Sequence, residues 1–152
     1  MQSHNFRELK VWQLARSLVK DIYQLSSNFP EDERFGLTSQ IRRAAVSIPS
    51  NIAEGSGRSD KDFVRFLSIS LSSAYEVETQ LILSLNLNFA SQRVIDEVIQ
   101  KTQEVQRMIY GLQRKLTKSF LNSFLLPIPT LVRLASRYFI LPLASFLFLP
   151  KI

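Results

Sequence analysis

Nineteen Lys and Arg, thirteen Asp and Glu and a single histidine, His4, are the side chains with which this 152-residue chain could do chemistry, and cysteine is absent. That inventory excludes thiolate nucleophiles, disulfides, Cys/His zinc sites and a Ser-His triad built on an internal histidine. A di-iron bundle site needs inward Glu residues and two Glu-x-x-His pairs. Glu76 and Glu78 stand two apart, so on a helix they point to different faces, and no histidine follows either. Ribonucleases that work through a paired Arg and His lack their His. Counting does not remove a glycosidase-like carboxylate pair; Glu54, Glu76 and Glu78 are its candidates, and structural ion pairing is their alternative.

Gly55-Ser56-Gly57-Arg58-Ser59 has the outline of a phosphate loop, with glycines before a helix start and Arg58 and Lys61 close by. The P-loop spacing with its Lys-Ser/Thr is missing and no strand precedes it, so it reads as an interhelical turn, with a nucleic-acid phosphate resting on the helix start as the alternative. The basic residues carry the other chemistry. Arg42, Arg43, Arg58, Lys61 and Arg65 gather around the second connection, and Lys10, Arg16 and Lys20 lie on the polar side of the first helix. They are candidates for phosphate contact, set against a plain solvated surface. A net charge of +6 favours an anionic partner without specifying a reaction. Binding is expected, with no catalytic residue, metal or cofactor.

Few Gly and scattered Pro disfavour a many-stranded fold, and the apolar periodicity is helical. The first helix is expected over about Leu9 to Ser26, with Trp12, Ala15, Val19 and Ile22 on one face, closed by Asn28-Phe29-Pro30. The second runs from Leu37 or Thr38 to about Glu54 through Ile41, Ala44, Ala45, Ile48 and Ile52. Pro49 removes an amide and crowds the preceding turn, so a kink or a break into two pieces is expected, and Gly55 and Gly57 supply the stop. The third is capped by Ser59 or Asp60 and continues to Leu85, about 40 Å. In the fourth, opened by Ser91, the residues Ile95, Val98, Thr102, Val105, Ile109, Leu112 and Leu116 form a heptad seam. Val94, Ile99, Met108 and Tyr110 lie outside it and suggest self-association. Four amphipathic segments with short connections predict an all-α, antiparallel up-down four-helix bundle over residues 1–118.

Residues 119–152 differ in kind: they hold four of the six Pro, no acidic residue, and only Arg133, Arg137 and Lys151 as charges. Without them the chain carries 16 basic and 13 acidic side chains. The stretch from Leu131 to Leu149 would span about 28 Å as a helix, but Arg133, Arg137 and Pro142 oppose insertion into a bilayer. No signal-peptide pattern opens the chain, and the body is expected in the cytoplasm.

The most unusual stretch is Gln40 to Gly55. Gln40, Arg43, Ser47, Ser50 or Asn51, and Glu54 fall at helical steps and make a polar stripe opposite Ile41, Ala45, Ile48 and Ile52. It reads either as a recognition face, or as Arg43 and Glu54 pairing with neighbouring helices while Ser and Asn satisfy the carbonyl freed by Pro49. QIRRAAVSIPSNIAEGSGR, from Gln40 to Arg58, resembles the signature of the four-helix bundle proteins encoded in intervening sequences of bacterial 23S ribosomal RNA genes; Gln40, Arg43, Ser47, Pro49, Asn51, Glu54 and Gly55 carry the likeness. Phe6 to Gln13, Phe29-Pro30 and Ala74 to Leu81 are similar to further parts of that family, over roughly residues 5–118. The resemblance implies a helical bundle that forms a ring-like homopentamer with a basic surface, and no enzymatic activity. It also implies kinship with accessory proteins of diversity-generating retroelements, which act beside a reverse transcriptase and are thought to bind nucleic acid. Two departures stand out. Ser72 or Ser73 replaces a family Gly, and the chain continues well beyond Lys118, as an added packing or membrane segment or as read-through.

Three functions follow as expectations: a cytoplasmic oligomer that binds structured RNA or DNA, a protein-interaction adaptor for a partner enzyme, and a structural protein held to a membrane by its tail. The core is expected to consume most aromatic side chains, which makes binding weak and little dependent on sequence.

Overall fold

The computed structural model describes residues 4–124, and the expectations for residues 125–152 lie outside them. By its internal packing the chain divides after Thr117. Within the described residues there are four α-helices and no strand: α1 (Lys10–Ser26), α2 (Leu37–Ser56), α3 (Asp60–Asn86) and α4 (Gln92–Phe124). Single turns of 3-10 helix precede α1 at Phe6–Glu8 and α2 at Glu31–Arg34.

Each helix forms because its apolar residues recur along one side, and those residues meet in one core. Val11, Ala15, Leu18, Ile22 and Leu25 of α1 join Ile41, Ala45, Ile48 and Ile52 of α2, Phe63, Leu67, Ala74, Val77 and Leu81 of α3, and Ile95, Val98, Val105, Ile109 and Leu116 of α4. The heptad seam of α4 is therefore buried, with Leu112 only partly so and Thr102 donating its hydroxyl to the Val98 carbonyl. A fully buried Leu or Ile side chain contributes on the order of 1.5–3 kcal/mol.

Polar contacts fix which helices are neighbours. Arg42 Nε donates to Ser26 Oγ at 2.8 Å between α2 and α1, and Ser70 Oγ donates to the Ile48 carbonyl at 3.0 Å between α3 and α2. Gln103 and Gln106 of α4 donate to the two carboxylate oxygens of Glu78 on α3. Lys101 of α4 donates to Ser17 Oγ and pairs with Asp21 on α1. In α1 and α2, in α2 and α3, and in α3 and α4, later residues of one helix meet earlier residues of the next, so successive helices run antiparallel and form a bundle.

The helix ends correct one expectation. Gly55 does not stop α2 but lies inside it. A Cβ there would sit 2.6 Å from Phe66 Cβ and 2.7 Å from Phe63 Cδ2, so the glycine is what lets α2 and α3 approach. Gly57 alone is the C-cap, with φ −89°. At the far end α3 closes without glycine. Asn88 takes φ 57°, and Asn88 and Phe89 donate their amides to the carbonyls of Leu85 and Ser84, the pattern of a Schellman cap. Phe89 then lies 5.5 Å from Phe29, closing the end of the bundle where α1 and α3 finish.

Pro49 does not break α2, which is continuous from Leu37 to Ser56. The donors around it are placed differently from expectation. Ser50 Oγ, Asn51 Nδ2 and Ser70 Oγ donate to the carbonyls of Val46, Ser47 and Ile48, the three that follow Ala45, whose bond Pro49 removes.

Candidate nucleic-acid interface

Side chains on α1 and α2 build a basic surface of the bundle. On α2, Arg42, Val46, Pro49 and Ala53 recur at helical steps beside the core row, which turns them toward α1. On α1, Trp12, Arg16, Val19 and Tyr23 do the same toward α2. Two grooves result, with Val46 in both. The first, about 310 Å³, is nearly apolar and lined by Phe6, Trp12, Arg16, Val19, Val46, Pro49, Ser50 and Ala53. The second, about 630 Å³, is lined by Tyr23, Arg34, Phe35, Thr38, Ser39, Arg42, Arg43, Val46 and Ser47.

Cations in these grooves rest on aromatic rings. The Arg42 guanidinium lies 4.8 Å over the Tyr23 ring, Arg34 lies 5.6 Å over Phe35, and Arg16 lies 5.3 Å over Trp12. Such contacts contribute about 0.5–1 kcal/mol at exposed sites and hold the guanidinium in a set plane. Phe35 is 89% exposed and Tyr23 45%. Tyr75 and Tyr110 are exposed as well, so the expectation that the core consumes most aromatics is corrected: among the described residues Phe29 and Phe63 are buried, while these four rings are left in solvent.

The expected basic residues separate into two groups. Arg16, Arg42 and Arg43 meet at the α1–α2 grooves, with Arg34 added, and among the described residues no ion pair engages any of the four. Lys20 is exposed one turn beyond Arg16. Lys10 is exposed but stands 11 residues before Asp21, three helical turns, on the edge of α1 that faces α4 rather than α2. Arg58, Lys61 and Arg65 are exposed around the second connection, interleaved with acids. Arg58 pairs with Glu54 at 3.5 Å, His4 lies 3.6 Å from Asp60, and Asp62 folds back onto Ser59.

That last contact answers the phosphate-loop reading. Ser59 is the N-cap of α3: its Oγ accepts the Asp62 amide at 3.2 Å and donates to Asp62 Oδ2 at 2.7 Å. A carboxylate of the chain itself already occupies the first turn, where an anion would bind, and the segment is an interhelical turn.

The polar stripe of α2 is also divided. Gln40, Arg43, Ser50 and Glu54 are exposed, while Ser47 shares a 2.9 Å hydrogen bond with Ser73 of α3 and Asn51 donates to Ser47 Oγ at 3.0 Å. The remaining carboxylates are structural. Glu78 is held by two glutamines and Glu76 accepts from Gln80 Nε2, so of the three only Glu54 is ion-paired, and with Arg58 four residues on rather than with a neighbouring helix as expected. Sequence reasoning missed Arg34 and Phe35; their signal is a charged and an aromatic residue together in a short connection just before the helix start. Among the described residues no cluster of potential metal ligands occurs, and no helix is long and apolar enough to cross a membrane.

The sequence profile of a family described as 23S rRNA-intervening sequence protein matches residues 7–111. Among solved structures, the chain is similar to a protein of unknown function from the S23 ribosomal protein family of Bacteroides thetaiotaomicron VPI-5482. The TM-score is 0.64 at 23% identity, over 68% of this chain and 95% of that one, a likeness of fold. No curated protein matches the chain.

Proposed function

The chain belongs to the 23S rRNA-intervening sequence protein family, and from that premise we propose a cytoplasmic, oligomeric, non-catalytic protein that binds structured RNA or DNA through the α1–α2 face. The observation that carries the reading is the set of guanidinium groups, Arg16, Arg34, Arg42 and Arg43, that no ion pair engages among the described residues and that line two adjoining grooves with exposed aromatic rings. Guanidinium forks match phosphate oxygens, and each phosphate neutralised releases counterions.

Oligomerisation, with a homopentamer as the form the family resemblance implies, multiplies a modest charge per chain into a stronger field. Exposed Ile69, Tyr75, Ile82, Leu83 and Leu87 on and just after α3, and Tyr110 on α4, support such contacts. The test is an anisotropy titration of the intact protein with a labelled hairpin RNA at graded salt. Binding that weakens steeply as salt rises is expected. Failure to bind RNA or DNA at low salt overturns the reading.

A second reading, an adaptor that docks a partner enzyme such as a reverse transcriptase, is favoured by the nearly apolar groove of Phe6, Trp12, Val19, Val46, Pro49 and Ala53. Co-purification with such an enzyme, unaffected by nuclease, distinguishes it from the first.

A further inference from the structure

We propose that the larger α1–α2 groove takes an unpaired nucleotide, its base stacked on Phe35 and its phosphate held by Arg42 and Arg43, so that the protein selects single-stranded or looped segments over duplex. The inference rests on the nucleic-acid reading and names the substrate class of that site.

Three observations converge on it. Phe35 lies in the connection before α2, 89% exposed, with Arg34 set 5.6 Å over its ring. A large aromatic side chain left in water is the platform that single-strand binders present, because any unstacked base offers it a π-face. In a duplex the faces of the bases are already stacked on one another, so an exposed ring gains nothing from them.

Arg42 supplies the second observation. Its Nε is engaged with Ser26 Oγ at 2.8 Å and its Cζ lies 4.8 Å over the Tyr23 ring, which leaves the terminal nitrogens of a positioned fork for a phosphate. Arg43, exposed and next in sequence, lines the same groove, as do the hydroxyl residues Thr38 and Ser39. The third is size: about 630 Å³ falls in the range of roughly 300–1,000 Å³ typical of small-ligand sites. A groove that joins cations and an exposed ring suits a ligand with one charged and one flat apolar part, which is what a nucleotide is.

The experiment titrates the full chain with a labelled short single-stranded RNA and with a blunt RNA duplex of equal length, at fixed low salt, for the parent, Phe35→Ala and Arg42→Gln. The parent is expected to favour the single strand. Phe35→Ala is expected to lose roughly 5- to 100-fold on the single strand, the effect of removing one base–aromatic stack, and to leave duplex binding unchanged. Arg42→Gln is expected to weaken both. Because Phe35 is exposed, its variant should keep the parent's circular dichroism.

If the parent binds but prefers duplex, or Phe35→Ala affects neither ligand or both equally, the inference is overturned while the basic-surface reading stands. If the parent binds neither, both fall. If Phe35→Ala changes the oligomer size by light scattering, the groove is filled by a second copy and the inference is overturned.

Discussion

Arg42 and Tyr23 form a cross-helix pair: the guanidinium of the second helix lies 4.8 Å over the phenol ring of the first, while its Nε donates to Ser26 one turn further along. The pair both closes the α1–α2 seam and fixes the direction of a cation that lines the larger groove. Tyr23→Leu keeps the charge and removes the ring. It is therefore expected to lower RNA affinity about two- to fivefold, the equivalent of one exposed cation–π contact, without altering the slope of log affinity against log salt. A changed slope would show that Tyr23 governs the number of phosphates bound rather than the placing of one.

Gly55→Ala forces a methyl group to within 2.6 Å of Phe66 Cβ. It is expected to destabilise the bundle by about 1–3 kcal/mol, the usual cost of overpacking, read as a lower urea midpoint with the slope unchanged. Phe66→Gly removes that Cβ and should cost less beside Gly55→Ala than in the parent, since the two residues meet directly. Additive effects would place the cause elsewhere.

Glu78 accepts from Gln103 at 2.8 Å and from Gln106 at 2.6 Å, and these bonds join α3 to α4. Glu78→Ala leaves two half-buried amides without their acceptor and is expected to cost about 1–3 kcal/mol. Calorimetry showing no fall in Tm would mean that water replaces the carboxylate.

Protein ending at Lys118 is expected to remain helical and to elute as an oligomer, because the buried rows of all four helices are complete by Leu116. Monomeric light scattering at micromolar concentration contradicts this. Pro49→Ala should straighten α2 and change assembly if a kink positions a subunit boundary. An unchanged axis and an unchanged oligomer size would show that Pro49 shapes neither.

The helices were legible in the sequence because long periodic rows such as Ile95 to Leu116 admit one period only. The 27-residue length of α3 was equally plain, and of the two cap candidates, Ser59 and Asp60, the helix uses Ser59. Glycine misled at one end: Gly55 and Gly57 look alike as stop signals, and only the facing Phe63 and Phe66 tell that the first is a packing residue. At the other end Asn88, not glycine, takes the left-handed turn.

The candidate site was half legible. Arg16, Arg42 and Arg43 could be picked out as basic, but their convergence depends on how α1 packs against α2, which periodicity along either helix does not contain. Phe35 was illegible for the same reason. A phenylalanine is expected inside by type, and its exposure follows from its place in a short connection whose neighbours, from Glu31 to Arg34, are all charged.

The most direct measurement is the salt dependence of hairpin RNA binding by two triple variants, Arg16, Arg42 and Arg43 changed to Gln in one, and Arg58, Lys61 and Arg65 changed to Ser in the other. Every phosphate that the protein no longer neutralises should flatten the slope of log affinity against log salt by about one unit. The slope of the first variant is expected to flatten by about two to three units, with most of the affinity gone. That of the second should flatten by about one unit or less, since Glu54 already engages Arg58 and Asp60 and Asp62 lie among the others. A slope equal to the parent's in the first variant and a flattened one in the second would contradict the assignment of the α1–α2 face.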